Sequence, residues 1–292
     1  MATGSNLPRR LLGRQLEQLR VQAGVTMEAA AATIAVAKST LWRMETGQPV
    51  RLNPVLLERL CHLYNAPPER TGMLLSLVEE TRTKGWWHAF SDSIPKDFSF
   101  FVSLEDAAVH EISFQTTFLP GLLHTPDYKR NLIWSEFPNM PSADVDRMLS
   151  VGMRRQDRLT SGDRPIRFDV LLDEAVLRRV VGGPAVMADQ MRQLVTVGEM
   201  PNVSIRVVPA STGPYLGLIA GTFVLLEFPR HPKADLSMPP VVYVQGFTGD
   251  LYLEKETEVA QYREVCAEIN RRALDDERSR VLIASTAEEY SA

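Results

Sequence analysis

"KSTLWRMETG", residues 38–47, is the stretch on which the reading of this chain turns. At about 100° per residue, Ala37, Thr40, Leu41 and Met44 fall on one side of a helix, while Lys38, Ser39, Trp42, Arg43 and Thr46 fall on the other. One side is suited to packing. The other offers an ammonium, a guanidinium and an indole to something outside the protein.

The sequence around this stretch predicts a package of five short helices over residues 7–83. Leu12, Leu16, Leu19 and Ala23 recur at helical spacing, and Gly24 is placed to stop that helix as a glycine just past a C-terminus does. Thr26 is an N-cap for "MEAAAATI" (27–34), and Gly47 closes the quoted segment. Asn53-Pro54 supplies a cap and a first-turn proline for "VLLERLCHLY" (55–64). Pro68 opens the fifth helix, within "PPERTGMLLSLVEETR" (67–82).

At 292 residues, the chain is long enough for two domains of roughly 100–200 residues each. Its composition is that of a globular protein, with 45% apolar and 23% charged residues. Charge is uneven: residues 1–60 hold eight Lys or Arg against four Glu, so a balance of +4 sits in a chain whose total is −4. A basic head on an acidic body suits a nucleic-acid reader joined to something else. Two cysteines, Cys61 and Cys266, supply neither a disulfide framework nor a metal site, which points to a reducing cytoplasm. "MATGSNLPRR" lacks the apolar core of a signal peptide, and no apolar run reaches the ~18 residues of a membrane span.

Texture changes at "KGWWHAFSDSIPKDFSFF" (84–101), taken as an aromatic hinge. Beyond it, helices are expected over 102–115, 125–134, 142–160, 174–180, 184–198 and 255–273. Strands are expected at 166–173, 204–210, 222–228, 241–246 and 250–255. The alternation predicts a mixed α/β or α+β domain over 102–285, followed by a tail at 286–292.

"LGRQLEQLRVQAGVTMEAAAATIAVAKSTLWRMETG" (12–47) resembles the N-terminal domain of XRE-type, phage-repressor-like transcriptional regulators, over about residues 11–65. The resemblance rests on Leu12, Leu16, Leu19-Arg20, Gly24-Val25-Thr26, Val36, Ser39-Thr40-Leu41, Arg43, Glu45 and Gly47. It implies a helix-turn-helix whose second helix enters the major groove. Lys38, Ser39, Trp42 and Arg43 are then the DNA-contacting residues, with Thr26 at the start of the preceding helix. Lys38 and Arg43 suit guanine edges or phosphates equally. The resemblance also implies a bridge between Arg20 and Glu45, and a homodimer on an operator with half-sites about one DNA turn apart.

Four positions depart from the family: Met27 for a phosphate-binding Gln, Ala35 for the turn glycine, Ala37 for a Ser cap and Trp42 for a small polar residue. Trp42 has two readings, against a thymine methyl or sugar, or within a core or dimer contact.

The second part also carries a resemblance. "GWWHAF", "LEDAA", "FLPGLLHTPDYKR", "RRQDRL", "LLDEAVLRRVVGGPAVMADQMRQL", "PNVSIRVVPASTG", "FVLLEF" and "GDLYLEK" together look like an actinobacterial domain found behind XRE heads in antitoxin-like regulators. That resemblance implies a small companion protein, or a small-molecule ligand, as partner. His124 and Lys129 replace the family's usual Gln and Ala. Trp86, Trp87, Phe90 and His124 are the candidate partner or ligand residues, and the aromatics also read as a hinge packing head onto body.

Catalysis is not expected. The five histidines lack metal spacing, no cofactor motif is complete, and "VVGGPA" (180–185) lacks the G-K-[ST] ending of a phosphate loop. His110-Glu111 read as ordinary helix residues, Asp173 as a cap with Glu174 complementing the helix dipole, and "RRQDRL" (154–159) as a solvated helix face. Gly213, Gly217 and Gly221 read as a mobile loop. The sequence therefore predicts a cytoplasmic, nucleoid-associated regulator without cofactor, metal or membrane contact. Its alternative is an antitoxin-like module that sequesters a small partner, with DNA binding secondary.

Overall fold

Leu12, Leu16 and Leu19 lie on the inner side of the first helix and have almost no contact with solvent. The computed structural model describes residues 6–48, 50–81, 96–160, 165–230 and 237–292. The chain divides into two compact units, one of Met1–Ala89 with Arg230–Met238 and the other of Phe90–Pro229 with Pro239–Ala292.

The first unit is helical: α1 (Asn6–Gln22), α2 (Met27–Thr33), α3 (Lys38–Glu45), α4 (Pro54–Leu63) and α5 (Pro68–Glu80). One apolar core joins all five, with Ala30, Ala31 and Ile34 from the second, Leu41 and Met44 from the third, and Leu60 and Leu74 from the last two. The small alanines let α2 approach its neighbours closely, while the Asn53 side chain caps α4 by accepting from Val55 N.

The second unit begins with α6 (Lys96–Ala107) and carries a six-stranded sheet of β1 (His110–Gln115), β2 (Arg167–Asp173), β3 (Val203–Val208), β4 (Phe223–Glu227), β5 (Val241–Val244) and β6 (Leu251–Leu253). The strand order is β3-β2-β1-β4-β5-β6. β1, β2 and β3 run parallel, while β4 is antiparallel to β1 and starts an antiparallel meander through β5 and β6. Parallel neighbours need crossovers, supplied by α7 (Pro126–Glu136) and α8 (Ser142–Arg155), then by α9 (Ala175–Arg178) and α10 (Pro184–Val197). After β3 come α11 (Leu216–Ala220), α12 (Glu256–Arg272) and α13 (Asp276–Ser291). Phe114, Leu171, Val208, Phe223 and Leu225 of the sheet pack with Val259, Cys266 and Ile269 of α12. Among the described residues no helix is long and apolar enough to cross a membrane.

Four expectations are corrected. Residues 110–115 form a strand, because "HEISFQ" alternates in burial and pairs on both edges. His110 and Glu111 thus face opposite sides of a sheet. The His110 ring bridges Asp169 and Glu227 at 2.8 and 3.0 Å; burial opposes charge there, but the two carboxylates outweigh it and raise the imidazole's pKa. Residues 286–291 of the expected tail belong to α13, whose Thr286 and Ala287 are buried and whose N-cap Asp275 accepts from Arg278 N. The glycine-spaced segment contains α11, and a side chain at Gly217 would collide with Phe114, Tyr215 and Ile269.

The fourth correction concerns "RRQDRL". Arg155 is interior, and both Nε and Nη2 donate to Glu105 at 2.6 Å. Its guanidinium also lies 5.1 Å from the Phe98 ring centre and 5.5 Å from that of Phe101, within cation–π reach. Glu111 is buried nearby, and its Oε2 has no hydrogen bond among the described residues; burial and the charge of Glu105 push its carboxyl well above the usual carboxylate range. The Arg155 and Arg158 guanidinium charges both oppose that rise, but burial outweighs them. Arg155→Ala would strand Glu105 inside, so it is expected to cost about 3–5 kcal/mol, measured by urea unfolding of the full chain.

Candidate nucleic-acid interface

α3 is held at both ends by backbone geometry that the sequence supplies. At its start, Ala37 is extended and provides no side-chain cap. Ala35 in the preceding turn adopts φ +54°, a left-handed conformation that costs a non-glycine residue about 1–2 kcal/mol. At its end, Gly47 has φ +67°, where the Cβ penalty disappears. Thr26 caps α2, its Oγ1 accepting from Ala29 N at 3.2 Å.

Two contacts fix α3 against α1. Arg20 donates from Nε and Nη2 to the two Glu45 carboxylate oxygens at 2.8 and 2.9 Å. Its Nη1 also donates to the Val25 carbonyl at 3.2 Å. The Glu45 side chain is only 2% exposed, against 14% for Arg20. The second contact is steric: a Cβ on Gly13 would lie 2.3 Å from the Met44 carbonyl oxygen. The backbone of α1 therefore rests directly on the last turn of α3. Gly13 was legible as a glycine inside a leucine-spaced helix without a capping role, a pattern that marks close approach.

With Leu41, Met44 and Glu45 turned inward, Lys38, Ser39, Trp42, Arg43 and Thr46 emerge on the exposed side. Trp42 is 47% exposed, so it is not a core residue of the first unit. Arg43 makes no ion pair among the described residues. Lys38 pairs with Glu28 on the first turn of α2, a contact that a reading of α3 alone misses. That hydrogen bond holds the Glu28 carboxyl below its usual range.

The second unit's candidates fare differently. Trp86, Trp87 and Phe90 lie outside the described residues. Phe98, Phe100 and Phe101 of the expected hinge belong to α6 and pack inside the second unit, Phe100 at 4.5 Å from Tyr252 and Phe101 at 4.4 Å from Tyr243 between ring centres. His124 is corrected from a ligand residue to an interior one. It is 4% exposed, donates from Nε2 to the Leu119 carbonyl at 2.7 Å and leans on the Tyr128 ring. Burial, helped by the Lys129 charge, pushes its pKa down to about 3. Asp173 Oδ1 accepts from Ala175 N at 2.9 Å and Oδ2 from the Tyr215 hydroxyl at 2.8 Å.

Residues 98–285 match the model of a family described as a domain of unknown function, DUF5753. The chain belongs to this family. Residues 11–72 match the model of a helix-turn-helix domain. No curated protein and no solved structure matches the chain. The helix-turn-helix match runs from within α1 to the first turn of α5, including the exposed side of α3, and makes the first unit the head of a DNA-binding regulator.

Two measurements check this geometry. Glu45→Ala leaves Arg20 without its bidentate partner and is expected to destabilise the first unit by about 2–4 kcal/mol, read by thermal or urea unfolding. His124 is neutral when folded but titrates near 6.5 when unfolded, so the unfolded state binds more protons between pH 6.5 and about 3, and stability falls with pH there. His124→Gln keeps an amide donor and does not titrate. From pH 7 to pH 5 the wild type should lose about 2 kcal/mol more than this variant.

Proposed function

We propose that the chain is a sequence-specific transcriptional regulator that binds its operator as a homodimer, its DUF5753 unit receiving a signal from a small companion protein or a small ligand. The observation that carries the reading is the outward side of α3, where Lys38, Ser39, Trp42 and Arg43 stand free of the core on a helix clamped by Arg20 and Glu45. An exposed cationic helix held rigidly from behind can enter a major groove without reorganising. A homodimer follows from the modest affinity of one half-site. A companion-binding role rests on the resemblance of the second unit's motifs to antitoxin-like regulators. Such a signal changes operator affinity only through its differential affinity for two arrangements of the dimer.

The protein acts by binding, not by catalysis. What supports this is that the two most enzyme-like constellations are engaged structurally: Asp173 caps a helix and holds Tyr215, and both His110 nitrogens face carboxylates. Such a regulator works in the cytoplasm, at the nucleoid while bound.

The deciding experiment is a salt titration of the full chain with duplexes selected from a random pool. Binding that is steeply salt-dependent and about 10³-fold tighter for one site supports a regulator. Weak binding that is equal across sequences overturns it in favour of a partner-sequestering module. The double variant Lys38→Ala, Arg43→Ala is expected to bind the selected site at least tenfold more weakly and, where both cations neutralise phosphates, to lower the salt slope by about 1.8.

A further inference from the structure

Among the described residues, Glu28 is the one acidic residue that the structure brings into contact with the exposed side of α3. It sits on the first turn of α2, with its carboxylate on the Lys38 ammonium at the first residue of α3. The pair therefore spans the two helices of the helix-turn-helix. Both side chains are more than 60% exposed, at 62% for Lys38 and 63% for Glu28. Water screens a pair that open, so it adds little to stability. Its consequence lies in what it presents to a duplex.

A duplex is lined with phosphates, and a carboxylate at the contact surface is repelled by them. Lys38 gives the held Glu28 a cation but cannot at the same time act as an undivided phosphate clamp. Base edges offer the carboxylate something phosphates do not. In the major groove the cytosine N4 amino group is a donor, and a carboxylate accepts from it. Guanine O6 and N7 are acceptors for an ammonium. These groups lie side by side on one G·C pair, and Glu28 with Lys38 presents the matching acceptor and donor side by side.

We propose that Glu28 is a specificity-determining residue that works with Lys38 as one unit reading a G·C pair, Lys38 donating to guanine and Glu28 accepting from cytosine N4. Glu28 also weakens binding to every duplex lacking that pair, because its charge then faces phosphates without reward. The assignment rests on the regulator reading above and names the base pair that this site selects.

The experiment uses the full chain as wild type, Glu28→Gln, Glu28→Ala and Lys38→Ala. Fluorescence anisotropy compares the selected duplex, the same duplex with each G·C pair replaced in turn, and an unrelated duplex, across a range of salt. Melting curves check that the exposed substitutions leave the fold intact. In Glu28→Ala, discrimination at one G·C position should fall about tenfold, and less in Glu28→Gln, whose amide oxygen still accepts. In both variants binding to the unrelated duplex should tighten severalfold and the salt slope should steepen, by up to about 0.9 as Lys38 moves to phosphate. Lys38→Ala should lose preference at the same position. A selected duplex whose discrimination is unchanged in both Glu28 variants overturns the assignment and leaves the regulator intact. A wild-type chain that prefers no duplex overturns both.

Discussion

The bidentate contact from Arg20 to Glu45 governs how the first unit presents itself. Glu45 lies in the last turn of α3 and is turned inward, and the same rotation that buries it turns Lys38, Ser39, Trp42 and Arg43 outward. An ordinary helix of eight residues has little stability of its own, so α3 takes its position from this ion pair, from Leu41 and Met44 in the core, and from the α1 backbone lying against its end at Gly13. The charge pair is asymmetric: its carboxylate is nearly sealed from solvent, whereas its guanidinium keeps some contact with water. That arrangement lowers the desolvation cost while keeping the directional strength of two charge-assisted hydrogen bonds.

The second unit shows a related solution on a larger scale. Parallel β1, β2 and β3 are joined by crossover helices, and the sheet then reverses into an antiparallel meander. Arg155, at the end of α8, reaches Glu105 of α6 through the interior. The pair ties a crossover helix to the helix preceding β1, and the Phe98 and Phe101 rings shield it. His124 and Lys129 lie within electrostatic reach of this guanidinium, and burial with neighbouring positive charge lowers both pKa values, to about 3 and about 8. His124 and Lys129 thus both sit beside buried charge.

Local patterns were legible where they had a local cause. The caps at Thr26, Asn53 and Asp173 form as their residue types imply, and the left-handed glycines at Gly24 and Gly47 end their helices. The five strands from 166 onward were visible as short apolar, strand-like runs. β1 was not, because "HEISFQ" follows a true helix without a turn signal and carries His and Glu at its start. α13 was hidden for the opposite reason: its polar, alanine- and serine-containing stretch has weak apolar periodicity, and its packing within the second unit, with Ser279 Oγ accepting from Val207 N, comes from distant chain. Ala35 shows the limit of turn chemistry, since the surrounding helices impose a left-handed backbone on a residue that does not favour it.

The sequence by itself determined the outward side of α3, because a 3.6-residue period fixes which side chains share a face whatever lies behind them. It likewise determined the mixed second unit, through alternating strand-like and helix-like periods. Only the tertiary structure decided that Glu28 would join Lys38, that Arg155 would turn inward to Glu105, and that His124 would be sealed in. Each depends on residues ten to fifty positions or more apart, or on a chain fold that closes over one side chain. Charge on a sequence has a sign but no partner until packing sets the distances.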